Sequence, residues 1–167
     1  MDPVPHAWRA LLPPGTDPSV LLIALWLNRL GRRFEVQLDA LVRVEGLIPS
    51  EFRVLGTLLL NGEPHELSPT RLNEIVVLTS GGMTKAIRRL ESLQLVERRA
   101  DPSDGRGVLV RLTPTGLRTS QALLAELVQG LERQIATVPG ADRVTIVDAL
   151  SMLLATYGDA GVAGPEK

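Results

Sequence analysis

The chain has 167 residues, the size of one ordinary domain with room for helical extensions. Hydrophobic residues make up 44% and charged residues 22%, which excludes wholesale disorder, and with only 3% aromatic residues the core must be filled by Leu, Val and Ile. The formal net charge is −1, and the absence of cysteine excludes disulfides, thiolate metal sites and thiol-based redox sensing, while two histidines leave little for a metal cage or a His-dependent triad.

At the amino terminus, Met1-Asp2-Pro3-Val4-Pro5 carries neither the basic segment nor the apolar core of a secretion signal. Asp17-Pro18 then pairs a capping side chain with proline at the first helical position, where the missing N–H costs nothing. The spacing of Leu21, Leu22, Leu25, Trp26, Leu30 and Phe34 predicts a helix from there to about Val44. Its apolar run Val20 to Leu27 is far short of the roughly 20 residues a membrane span needs. A soluble cytoplasmic protein, with no membrane partner and no cofactor, is expected.

Pro49 opens a second helix through Phe52, Leu55, Leu58 and Leu59, closed by Asn61-Gly62. Ser68-Pro69 repeats the cap-then-proline signal for a short helix to about Val76, and a fourth helix starts after Thr79. After Leu93 the pattern changes to two β-prone runs, Leu95 to Arg99 and Val108 to Leu112, separated by the turn formers Ala100 to Gly107. They predict one antiparallel hairpin. Thr113-Pro114 starts a long amphipathic helix through Leu117, Leu123, Leu124, Leu127, Leu131 and Ile135, which Pro139-Gly140 breaks. The last helix is predicted from about Asp142, with Val144, Val147, Leu150, Leu154 and Tyr157 along one side, before a tail without apolar period.

This order predicts a mainly α protein: a winged helix-turn-helix domain with a two-stranded β wing and dimerisation helices at both ends. The expected divisions are 1–44 for the amino-terminal segment and dimerisation helix, 45–113 for the DNA-binding domain, 114–157 for the carboxy-terminal dimerisation helices and 158–167 for a flexible tail. Charge follows the same divisions. Residues 1–78 carry seven basic and nine acidic groups, residues 79–111 seven and four, and residues 112–167 four and six. A basic centre between acidic flanks suits a polyanion-binding element, although a solvated face with an excess of arginine gives the same balance.

In the fourth helix, Met83, Ala86, Ile87, Leu90 and Leu93 form one apolar stripe. The opposite face holds Ser80, Gly81, Thr84, Lys85 and Arg88, with Gly82 in the first turn and Arg89 at the edge. Glycines that allow close approach, first-turn N–H groups and basic side chains one turn on suit a helix laid into a DNA groove. A phosphate-loop reading of Gly81-Gly82-Met83-Thr84-Lys85 fails, because Thr84 precedes the lysine and no glycine stands five positions before it. In the hairpin, Arg98, Arg99 and Arg106 surround a turn that also holds Asp101 and Asp104. Arg106 at the tip fits a minor groove with Asp104 orienting its guanidinium, and the alternative is a self-neutralising turn.

Leu78 to Glu91, then Leu95-Val96-Glu97-Arg98-Arg99, Asp101 to Arg106 and Leu112-Thr113-Pro114-Thr115-Gly116, resemble the recognition helix and wing of MarR-family transcriptional regulators. The resemblance implies a homodimer that binds a palindromic operator in double-stranded DNA and is released by a small ligand. By position it implies Thr79, Ser80, Thr84, Lys85 and Arg88 in the major groove, and Arg106 in the minor groove with Asp104 as its partner. Trp8, followed by Pro13 to Ser19, is further similar to the extra amino-terminal helix of the urate-responsive branch. That branch's ligand pocket uses a tryptophan, an acid in the second helix and two arginines. Trp8 and Arg98 fit, whereas Arg53 stands where the acid would be and Ala86 where one arginine would be. A pocket around Trp8, Arg53 and Arg98 for a small aromatic or anionic effector is expected, with a hydrophobic plug as the alternative role of Trp8.

The terminal helices carry more apolar residues than a small winged core covers, and intertwining with a second copy would bury them, as would an intramolecular bundle. A winged helix also serves as a protein-binding adaptor without DNA. An enzyme has the least support, since no paired carboxylates, nucleophile–base set or metal spacing is present.

Overall fold

A computed structural model describes residues 11–76, 78–102 and 107–156. Trp8, Asp104, Arg106, Tyr157 and the tail 158–167 therefore lie outside the described residues. The chain divides into two compact units between Ala40 and Leu41.

Helix α1, Ser19–Val42, is the helix of the described part of the first unit, with its last two residues in the second. Asp17 starts it: its two carboxylate oxygens accept from the Ser19 backbone N–H and hydroxyl at 2.9 and 2.7 Å. Val20, Ile23, Leu25, Trp26, Leu30 and Val36 are exposed along it.

In the second unit a short 3-10 turn, Arg43–Glu45, ends on Gly46 at φ 67°, and α2 follows at Pro49–Leu60. The buried Glu51 carboxylate accepts from the Ile48 N–H at 3.0 Å and so caps α2 from within its first turn. Next come β1 (Glu66–Leu67), α3 (Pro69–Val76), α4 (Ser80–Ser92), β2 (Val96–Ala100), β3 (Val108–Leu112), α5 (Pro114–Ile135) and α6 (Gly140–Thr156). Each predicted cap is formed by an oxygen: Ser68 Oγ takes the Arg71 N–H at 3.2 Å, Thr79 Oγ1 the Gly82 N–H at 3.1 Å and Thr113 Oγ1 the Gly116 N–H at 3.0 Å.

Helix α2 lies at the centre, packed on α3, α4, α5 and β3, and Val54, Leu55, Leu58, Leu72, Ile87, Leu90 and Val110 form the dry core. Complete burial of such side chains stabilises each by roughly 1.5–3 kcal/mol.

The sheet contains the expected two-stranded wing, β2 and β3, and adds a third strand to it. It has three strands in the order β1-β3-β2, all antiparallel, with Glu66 opposite Arg111 and Leu67 opposite Val110. The extra strand gives β3 partners on both edges, and a backbone bond from Leu112 N–H to His65 C=O extends it at 3.1 Å. A hairpin alone is marginal, so this third strand is part of what holds the wing root. The last helix starts at Gly140, two residues before the predicted start, because the Pro139 carbonyl already accepts from Asp142 and Arg143.

Candidate nucleic-acid interface

Helix α4 begins where Thr79, in extended conformation (φ −66°, ψ 151°), turns its hydroxyl oxygen back onto Gly82 N–H. Met83, Ala86, Ile87 and Leu90 are buried, and this fixes which side of α4 faces solvent. On that side Ser80, Gly81, Thr84, Lys85 and Arg88 line one open, shallow depression. Thr84 donates its hydroxyl to the Ser80 carbonyl at 3.0 Å, one turn back. Lys85, Arg88 and Arg89 are exposed, and none makes a side-chain hydrogen bond or ion pair with a described residue. Three cations on one short helix, without a partner among the described residues, project positive charge into solvent.

The two glycines of the first turn differ. A Cβ at Gly82 would stand 3.0 Å from the capping Thr79 Oγ1, so glycine there serves the cap. A Cβ at Gly81 would meet nothing within 4 Å. No intramolecular contact requires glycine at 81, although it costs the helix roughly 0.5–1 kcal/mol relative to alanine.

The wing separates two arginines that sequence reasoning grouped together. In the β2–β3 register Arg98 is opposite Val110 and Arg99 opposite Leu109. Directly opposed residues share a face, and successive residues alternate. Arg98 is thus on the side of the buried Val96, Val110 and Leu112, and Arg99 is on the outer side with Glu97 and Arg111. Arg98 Nε donates to both carboxylate oxygens of Glu91 at 3.1 Å, while Arg99 Nε is 4.0 Å from Glu97 Oε1. The Asp101 N–H bond to Gly107 C=O, 3.0 Å, closes the described part of the hairpin.

Of the residues expected around an effector, Arg53 is half-buried on α2, Arg98 is tied to Glu91, and Trp8 lies outside the described residues. Ala86 is buried on the inner side of α4. Glu91 and Arg111 escaped sequence reasoning. Glu91 had one signal: a carboxylate in the last turn of a helix opposes the dipole there, which points to a nearby cation. Among the described residues no group of three or more His, Cys, Asp or Glu could hold a metal ion, and no helix is long and apolar enough to cross a membrane.

A sequence model of the MarR family matches residues 45–107, which span α2 to the wing. Over 137 residues the chain is 26% identical to the HTH-type transcriptional regulator PecS of Dickeya dadantii, covering 82% of each chain. It is 31% identical over 108 residues to the uncharacterized HTH-type transcriptional regulator YdgJ of Bacillus subtilis, covering 65% of this chain and only 64% of that one. In fold it is similar to AbsC, a MarR family transcriptional regulator from Streptomyces coelicolor, with a TM-score of 0.72 at 20% identity over 85% of this chain and 95% of that one. Helix order and wing agree with that likeness in fold, and within it residues 45–107 are similar in sequence to the MarR family.

Proposed function

We propose that this chain is a DNA-binding repressor that holds a palindromic operator as a homodimer and releases it when a small aromatic or anionic compound binds. The observation that carries the reading is the outer face of α4, where Lys85, Arg88 and Arg89 have no partner of their own and Ser80, Gly81 and Thr84 leave the first turn open. A duplex supplies what this face lacks: phosphates for the cations and first-turn N–H groups, and base edges for Lys, Arg and Thr in a major groove. In this reading Arg106 enters the adjoining minor groove, held by Asp104, and Arg99 on the outer wing face faces the backbone. The adaptor reading has no use for three unpaired cations on the same helix.

Dimerisation is supported by exposed apolar residues at both ends of the chain. Besides those on α1, helix α6 exposes Val144, Ile146, Val147, Leu150, Met152 and Leu154. A soluble chain keeps such surface covered, and a two-fold pair of α4 helices would read half-sites about one helical turn apart. For the effector, Trp8, Arg53 and Arg98 are the proposed contacts. With Arg53 and Ala86 replacing two of the urate-responsive branch's pocket residues, a planar anion other than urate is the better match.

The deciding experiment is selection of bound fragments from the source genome, followed by affinity measurements on the selected duplex and a scrambled duplex across a salt series. A selected palindrome, preferred over the scrambled duplex, with log affinity falling by about 0.9 per phosphate contacted for each unit of log salt, is expected. Salt-independent binding, or no selected fragment even in dilute buffer, would overturn the reading. Calorimetry with urate, salicylate and other phenolic acids tests the effector: heat from at least one, with release of the operator, is expected, and silence from all of them removes that part.

A further inference from the structure

We propose that the Glu91–Arg98 ion pair clamps the wing to the reading helix, and that both residues act on DNA by setting this angle without touching it. The inference rests on the DNA-binding reading above and assigns its geometry. Arg98 Nε is shared between both Glu91 oxygens at 3.1 Å, joining the outer part of β2 to the last turn of α4. The chain between them is short. Gln94 adopts φ 57°, and Leu95 N–H returns to Leu90 C=O at 3.0 Å, so α4 and β2 meet in a tight corner.

At that corner Leu95 and Val96 are buried and hold the wing root by packing, but Glu97 to Ala100 are exposed. Beyond Arg98 and its buried partner Val110 the described hairpin has no third strand and little core beneath it, and a two-stranded ribbon twists easily. The described part of the ribbon runs on to Pro102, four residues past Arg98, a reach of up to about 13 Å at strand rise. A rotation of about 10° at the clamp displaces that end by about 2 Å, a third of the roughly 6 Å width of a minor groove. A tip that must reach one groove while α4 occupies the next cannot tolerate that freedom. Charge supports the same division of roles. Among the described residues Lys85, Arg88 and Arg89 are unpaired, whereas Arg98 is already neutralised by Glu91 and has less to offer a phosphate.

The test uses the full-length chain with Glu91→Ala, Arg98→Ala, the double substitution and the charge swap Glu91→Arg/Arg98→Glu. Operator affinity is measured across a salt series, together with amide exchange at Arg99 and Leu109. Each single substitution should weaken operator binding about fivefold, the most that a half-exposed pair transmits. The double variant should be no worse than either single one, the swap should recover most of the loss, and the salt slope should stay at its original value. The outer-wing amides should exchange faster in both single variants. The opposite pattern would overturn the clamp: Glu91→Ala binding as well as or better than the parent while Arg98→Ala lowers the salt slope by about one marks Arg98 as a phosphate contact. A folded swap that recovers nothing, or unchanged amide exchange, also overturns it. Failure of the parent chain to bind any fragment would sink the DNA reading instead, and the exchange measurement would still decide whether the clamp exists.

Discussion

Gly116 shows how narrow the tolerance is at single positions. A Cβ built there would lie 1.8 Å from the Leu95 carbonyl oxygen and 2.8 Å from its carbon, so the first turn of α5 sits directly on the backbone at the start of β2. Thr113 completes the junction: its hydroxyl donates to Gln94 C=O at 2.7 Å, and its N–H donates to Leu95 C=O at 3.1 Å. Backbone cannot rotate away as a side chain can, so Gly116→Ala should destabilise the fold by about 3 kcal/mol, read from the midpoint of denaturant unfolding at constant m. Gly81→Ala should do the reverse. With open space around the new methyl, it should stabilise the chain by about 0.5–1 kcal/mol and at the same time weaken operator binding. Stabilisation with unchanged binding would mean that nothing approaches α4 closely at that point.

Among the elements, the helices were the most legible. Ser68-Pro69 and Thr113-Pro114 announce starts that the structure places at Pro69 and Pro114, because a capping oxygen and a preset φ act locally and leave a local signature. Strand β1 leaves none. It is two residues long, and its partners Arg111 and Val110 are more than 40 residues away in sequence, so neither alternation nor turn chemistry marks it. The unpaired state of Lys85, Arg88 and Arg89 was legible in part: the apolar stripe fixed their face, but not the absence of partners. The opposite facing of Arg98 and Arg99 follows from strand alternation, yet which of them turns inward depends on the packing of Val96 and Val110. For α4 itself, Lys85→Ala should lower the slope of log affinity against log salt by about one if its ammonium meets a phosphate. A loss of affinity with the slope intact would assign it to a base edge.

For the whole molecule, the exposed apolar residues decide the assembly. The sequence placed the apolar residues of α6 along one side, but Val144 lies nearly opposite Ile146 around the helix and Met152 nearly opposite Leu150, and all four are exposed. A helix apolar on all sides is a buried helix, so α6 calls for cover on more than one side, as an intertwined pair of chains provides. If the chain pairs as proposed, Val147→Glu should shift it from dimer to monomer by sedimentation at micromolar concentration and abolish operator binding, while the core around Leu55 and Leu90 stays folded. A dimer unaffected by this change would move the interface to α1 alone.

The seat of Gly116 on Leu95 has a mechanical corollary. With no side chain cushioning that junction, the base of the hairpin is in direct backbone contact with a 22-residue rod, some 33 Å long at helical rise. In the proposed dimer, changes in how the two copies grip each other near Ile135 should then retune the preferred spacing between half-sites, without altering a single atom that meets the duplex.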